Sequence, residues 1–211
     1  MVEVNIFHLG SQCYGITHDA MRARVSELRD GSRADLWLVE HPSVFTQGQA
    51  GRAEHVLSTG SIPIVQSDRG GQVTYHGPGQ VILYTLVPLK LFRLNVRQFI
   101  SLLEKTVIKL LASYGINSDA YPKRPGVYVQ NRKIASLGLR IRHGVCYHGV
   151  ALNVSMNLSP FSRINPCGYE GLEVTQLSDL ASGVSTKEVG IDLAERFKKE
   201  LIALSSHGVA S

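Results

Sequence analysis

The chain has 211 residues, 44% hydrophobic and 18% charged, with mean hydropathy near zero and a formal net charge of +5. These values exclude a disordered chain and predict one domain over 1–211, long enough to bury a full core without disulfides or metals. No apolar run reaches the roughly 18 residues of a membrane span, and the start, Met1-Val-Glu-Val-Asn-Ile-Phe-His, lacks the basic and then apolar regions of a secretory signal. In chain order, Asn5–Leu9 reads as a strand. A helix is expected from about Asp19 to Arg29, with Met21, Val25 and Leu28 on one face and Gly31 as its cap. Strands follow at Ala34–Val39, Ile62–Val65 and Val81–Leu86. Asn95 with Gln98 predicts a capped helix that carries Val96, Phe99, Ile100, Leu103, Val107, Leu110 and Leu111 inward and stops at Gly115. Val127–Gln130 and Lys133–Arg142 are strands joined by a hairpin at Gln130-Asn131-Arg132, and Val145–Val154 is another. Ser185-Thr-Lys-Glu188 opens a last helix with Val189, Leu193, Phe197, Leu201 and Leu204 as its stripe. Strands that mostly follow one another predict an α+β domain with a mixed or antiparallel sheet and flanking helices.

Cys13, Cys146 and Cys167 are too few and too scattered for a disulfide framework, and no C-x-x-C or H-E-x-x-H occurs. A reducing, cytoplasmic setting with free thiols follows, and no metal or cofactor is expected. The basic excess is densest at Lys123-Arg124, Arg140–His143 and Lys198-Lys199, without interleaved aromatics, so nucleic acid is not indicated.

The densest signal is Asp68-Arg-Gly-Gly-Gln-Val-Thr-Tyr-His-Gly-Pro-Gly-Gln80. Its glycines allow a backbone to approach a ligand closely. It lacks the Gly-Lys-Ser/Thr of a nucleotide loop, and a strand follows it instead of a helix. By itself it is either a wide turn or a binding rim. Lys133, counted by twos, falls on the apolar face of its strand with Ala135, Leu137, Leu139 and Ile141, where a lysine is out of place unless it snorkels or serves a site. A bulge at Gly138 would spoil that count beyond it. His148 falls on the face of Cys146, Val150, Leu152 and Val154. Cys167 stands between Pro166 and Gly168 in a turn able to expose a sulfur. Cys13 and Cys146 read as structural. An ordinary thiol is only a few per cent thiolate at neutral pH, so a nucleophilic Cys167 needs a nearby cation or base. Lys133, His148 and His76 are all candidates.

The string Arg-Gly-Gly-x-x-Thr-x-His-Gly-Pro-Gly-Gln-x-x-x-Tyr, from Arg69 to Tyr84, resembles the signature of octanoyltransferases. Lys133-Ile-Ala-Ser-Leu-Gly, His148-Gly-Val-Ala-Leu-Asn and Pro166-Cys-Gly resemble further segments of that family, so the likeness runs from about Leu36 to Leu177. One departure is Thr85, where many members have proline; it is expected to affect the strand exit and not the chemistry. The resemblance implies the lipoate/biotin protein ligase-like (class II synthetase-like) α+β fold. It implies transfer of an octanoyl group from octanoyl-acyl carrier protein to a lysine of apo lipoyl domains through a thioester on Cys167, with Lys133 as its catalytic partner and His148 in support. Lipoyl domains of 2-oxoacid dehydrogenase complexes and the glycine cleavage H protein are the implied acceptors. Substrate would be lined by Arg69, Gly70, Gly71, Gln72, Val73, Thr74, Tyr75 and His76, by Ser136, Leu137 and Gly138, and by Gly149, Val150 and Ala151. Burial of an acyl chain would contribute about 0.8 kcal/mol per methylene. The rival readings are an ATP-dependent lipoate or biotin protein ligase and a non-catalytic lipoyl-domain-binding module.

Overall fold

The computed structural model describes residues 2–28, 31–122 and 124–206, apart from the side chains of Cys167 and Ser206. Arg29, Lys123 and the Cys167 sulfur lie outside the described part. A seven-stranded sheet is ordered β1-β2-β6-β10-β9-β8-β7, from β1 (Glu3–Ser11), β2 (Arg33–Glu40), β6 (Gln80–Pro88), β7 (Asp119–Tyr121), β8 (Arg124–Val129), β9 (Arg132–Arg142) and β10 (Val145–Asn153). Within this sheet, among the described residues, only β1 and β2 pair in parallel, with α1 (Tyr14–Glu27) as their crossover; its other pairs are antiparallel. A second sheet of β3 (Val44–Gln47), β4 (Ile64–Gln66) and β5 (Val73–His76) is ordered β4-β3-β5.

The central strands are buried on both faces. On one face Leu36, Leu83, Val150 and Leu152 meet α2 (Val96–Ala112) and α3 (Thr186–Ser206), whose Phe99 and Phe197 rings meet edge-on at 5.8 Å. On the other, Met21 and Val25 of α1 and Leu28, its C-cap, cover Trp37, Tyr84, Val145 and Tyr147. Each such side chain contributes about 1.5–3 kcal/mol by leaving water. The α2 cap forms as expected: Gln98 N–H donates to Asn95 Oδ1 and Asn95 N–H to Gln98 Oε1, both at 2.9 Å. Gln130 and Asn131, both with positive φ, make the β8–β9 hairpin turn.

Several elements differ from expectation. α1 begins five residues before Asp19 because Tyr14 and Thr17 are anchored by burial, which outweighs the weak helix preference of Gly15, Ile16 and Thr17. β3, β5 and β7 are three or four residues long, too short to show a period. Thr85 lies inside β6 and not at its exit, and its hydroxyl donates to the His148 carbonyl at 3.0 Å. Cys13 is exposed at the start of α1, whereas Cys146 is fully buried.

Candidate active site

The glycine-rich segment is held down by its own arginine. The Arg69 guanidinium donates to the Thr46 carbonyl at 2.6 Å and hydroxyl at 2.9 Å, and to the Gly70 carbonyl at 3.0 Å. Gly70 N–H donates to Leu139 O at 2.8 Å, which straps the loop across β9. Beneath it lies an inner cavity lined by Arg69, Gly71, Gln72, Val73, Thr74 and His76, by Ser136, Leu137 and Gly138, and by Gly149, Val150 and Ala151. Tyr14, Ile82, Tyr84 and His148 complete it. Two residues assigned to this lining lie elsewhere. Gly70 borders the neighbouring cleft. Tyr75 points away into the packing of Phe45 and Phe161, with its hydroxyl on Ser43 at 2.9 Å, because alternation along β5 turns it from its neighbours His76 and Thr74.

The neighbouring cleft holds Lys133, 2% exposed, with Val96, Ile100, Tyr128 and Tyr169. Val96 and Ile100, expected on the core stripe of α2, form a wall of this cleft. The Lys133 ammonium sits over the Tyr128 ring at 5.5 Å. Burial raises the nearby Glu104 carboxyl above its ordinary value, and the Gly126 N–H that it accepts and the Lys133 field offset this only in part. The strand count reached the right environment by an incomplete route: the register shift lies between Lys133 and Ala135 and not at Gly138.

Lys133 is also tied to the chain that leaves the Pro166–Gly168 turn. Lys133 N–H donates to Glu173 O, and Thr175 N–H to Lys133 O, both at 2.9 Å. A Cβ on Gly168 would lie 3.0 Å from Gln72 Nε2 and 3.4 Å from His55 Nε2, so the turn stands against both side chains. Tyr169 then lines the Lys133 cleft. Cys167 thus belongs to a turn at the junction of glycine loop, His55 and cleft. Within that turn Gly168 N–H is taken by Asn165 O and Tyr169 N–H by Pro166 O, whereas Gly71 and Gln72 N–H donate to no other described residue. His55 carries no sequence signal, yet its Nδ1 and Gln72 Oε1 are buried beside this turn without a hydrogen-bond partner among the described residues. Cys146 is pushed up to about 12 by burial, which removes it as a nucleophile at neutral pH.

His148 is not where its parity put it. Its φ of +63° breaks the alternation of β10 and turns the ring to the face of Tyr147, stacked on it at 4.9 Å. There Asp68 accepts from Tyr147 Oη at 2.5 Å and pairs with the Nε2 atoms of His148 and His18, each at 2.8 Å. Burial raises Asp68, but these hydrogen bonds outweigh it and hold the carboxyl well below its ordinary range. The three groups stand close enough to hold a metal ion, although each ligand atom is already hydrogen-bonded within the cluster. His76 lies 3.3 Å from Thr46 Oγ1 and bonds Gln80 Oε1 at 2.7 Å. Both histidines therefore belong to the inner cavity, and only Lys133 of the three candidate partners lines the cleft beside the turn.

Burial, and then the field of His41, pushes His76 down to about 3, so it is neutral when folded. Unfolded, a histidine titrates near 6.5, so between those values the unfolded chain binds the extra proton. Stability is therefore expected to fall as pH drops, by about 2 kcal/mol between pH 7 and 5 from this group alone. His41 and His148, also lowered mainly by burial, act in the same direction. Urea unfolding at the two pH values checks this; equal stability would contradict a neutral His76.

The lipoyl protein ligase A/B catalytic domain family matches residues 17–198. An octanoyltransferase of Shewanella loihica is 54% identical over 94% of this chain and 91% of its own. One of Photorhabdus laumondii is 55% identical over 92% and 91%. Among solved structures, a putative lipoate protein ligase from T. acidophilum superposes with a TM-score of 0.78 at 15% identity, covering 98% of this chain and 94% of that one. Lipoate-protein ligase A bound with ATP gives 0.74 at 14% identity over 98% and 93%. Biotin protein ligase from Aquifex aeolicus gives 0.56 at 15% over 98% and 72%. The α+β fold is thus that of the lipoate and biotin protein ligases, as the motifs implied.

Proposed function

Because the chain belongs to the octanoyltransferases of the lipoyl protein ligase A/B catalytic domain family, we propose that residues 1–211 form one catalytic unit that moves an octanoyl group through Cys167. The observation that carries this reading is a buried lysine in a cleft that is lined also by Tyr169, the residue following the Pro166–Gly168 turn, and that shares Gly71, Gln72, Leu137 and Gly138 with the inner cavity. In the first half-reaction the Cys167 thiolate attacks the carbonyl of octanoyl-acyl carrier protein. The new C–S bond replaces the old one, and the departing carrier thiolate takes a proton from the Lys133 ammonium. In the second, a lysine amine of a lipoyl domain attacks the acyl-enzyme. Lys133 takes the amine proton, and Cys167 leaves as thiolate. The amides of Gly71 and Gln72 would hold the oxyanion, in preference to Gly168 and Tyr169 N–H, which are already bonded. The donor is an activated thioester, so ATP is not required.

The acceptors in this reading are lipoyl domains, including those of 2-oxoacid dehydrogenase complexes and the H protein, in the cytoplasm. No helix among the described residues is long and apolar enough to cross a membrane. Arg140, Arg142 and His143 are exposed at the far end of β9, where a modest positive rim would steer acidic protein partners without holding them. Incubation with octanoyl-acyl carrier protein without ATP is expected to leave a hydroxylamine-labile octanoyl adduct on Cys167, seen by mass spectrometry and absent in Cys167→Ala. No adduct, with transfer only when ATP is supplied, would overturn the reading in favour of a ligase.

A further inference from the structure

The inner cavity ends on rings. Gly71, Gln72, Leu137 and Gly138 border both this cavity and the Lys133 cleft, so the two spaces adjoin at these residues. Gly138 pairs with Gly149, and Gly149 with Tyr84. A chain entering there crosses from β9 over β10 to β6, two strand steps or about 10 Å. It then meets Tyr14, Tyr84, His76 and His148, all buried.

We propose that this ring wall is the gauge of acyl length, with Tyr14 and Tyr84 stopping chains longer than eight carbons. The inference rests on the acyl-transfer reading above and deepens it.

A wall of aliphatic side chains repacks to admit another methylene. This one is anchored from behind. Tyr14 Oη lies 2.6 Å from Ser67 Oγ. His41 gives its Nδ1 proton to the Gln12 carbonyl at 2.6 Å, which leaves Nε2 to accept from Tyr84 Oη at 2.8 Å. Gln80 holds His76, and Asp68 holds His148. Moving any ring aside strands a buried polar atom. The rings also brace one another: Tyr14 stacks on His76 at 5.9 Å, and Tyr84 meets His148 edge-on at 6.0 Å. Their faces and edges are what the cavity sees, which suits a methyl end and gives a longer chain nowhere to go.

The test compares kcat/KM for six-, eight-, ten- and twelve-carbon acyl thioesters of acyl carrier protein. Each enzyme is scored by its own ten- to eight-carbon ratio, so a general loss of activity cancels. In the wild-type protein the ten-carbon donor is expected to be at least about tenfold poorer than the eight-carbon donor. Tyr14→Ala and Tyr84→Ala should each raise the ratio about tenfold or more. Tyr84→Phe keeps the ring but frees it from His41, keeps the core filled, and should raise the ratio by a smaller factor. Folding is followed by thermal melting. A wild-type protein that takes all lengths equally, or folded variants with the wild-type ratio, overturns the gauge alone. A wild-type protein that transfers no chain at all overturns the acyl-transfer reading and the gauge with it.

Discussion

Lys133→Met is expected to slow octanoyl transfer about 10²–10⁴-fold, the usual size of a positioned proton carrier's contribution. The fold should survive, because methionine is unbranched, suits a buried slot against Tyr128, and keeps the backbone bonds to Glu173 and Thr175. The loss is chemical: the carrier thiolate has no proton source in the first half-reaction, and the acceptor amine has no base in the second. The same substitution removes a cation from the cleft beside the Cys167 turn, so the rate of thiol alkylation should rise only at higher pH than in the wild-type protein. Transfer within a few-fold of wild type, or an alkylation profile that does not move, would take Lys133 out of both roles. Melting curves of the two proteins separate this from unfolding.

Gly149→Ala should be the most damaging small substitution in the sheet. A Cβ there would lie 2.0 Å from the Leu83 carbonyl oxygen, backbone against backbone, between β10 and β6 at the centre of the seven strands. Nothing flexible can move aside, so the two central strands must part. A cost of about 3 kcal/mol or more follows, equivalent to a melting temperature lower by roughly 6–12 °C for a chain of this size. Gly15→Ala is the contrast. It lies in the first turn of α1, where a Cβ meets nothing within 4 Å, and it should stabilise by up to about 1 kcal/mol through helix preference. Thermal unfolding of both variants checks the pair. A Gly149→Ala protein that melts like wild type would mean that the β10–β6 contact is looser than described.

Much of the candidate site is legible in the sequence. The Asp68–Gln80 string, Lys133 and the Pro166–Gly168 turn are close to one another only in space, but each stood out locally: glycines where a side chain would obstruct, a lysine on an apolar count, and a cysteine in a turn. The long amphipathic stripes of α2 and α3 and the β8–β9 hairpin were equally plain, because many residues repeat one period or two residues carry a turn preference. Where local rules were stretched they misled. Parity counts His148 onto the face of Cys146 and Val150, which α2 and α3 cover, but parity holds only for regular extended backbone; one positive φ sends it to Asp68 on the α1 face instead. Lys133 reached its cleft past a bulge that parity does not see. Tyr75, inside the signature, turned away to fill the second sheet's core.

By itself the sequence determined the class of fold and the family and named the candidates for the chemistry, since these depend on composition, period and short strings. The tertiary structure alone decided which groups share a cavity. His41 and Asp68 come from loops and His55 from a single 3-10 turn, none with a local sequence that names its partners, and Tyr14 comes from a helix start with weak preference of its own. Their places follow from the pairing of β10 with β6 and β9 and from the packing of α1 on that face. Contacts between residues 29 to 127 positions apart are selected by the burial of whole surfaces and the need to satisfy each buried polar atom, and neither condition can be evaluated one segment at a time.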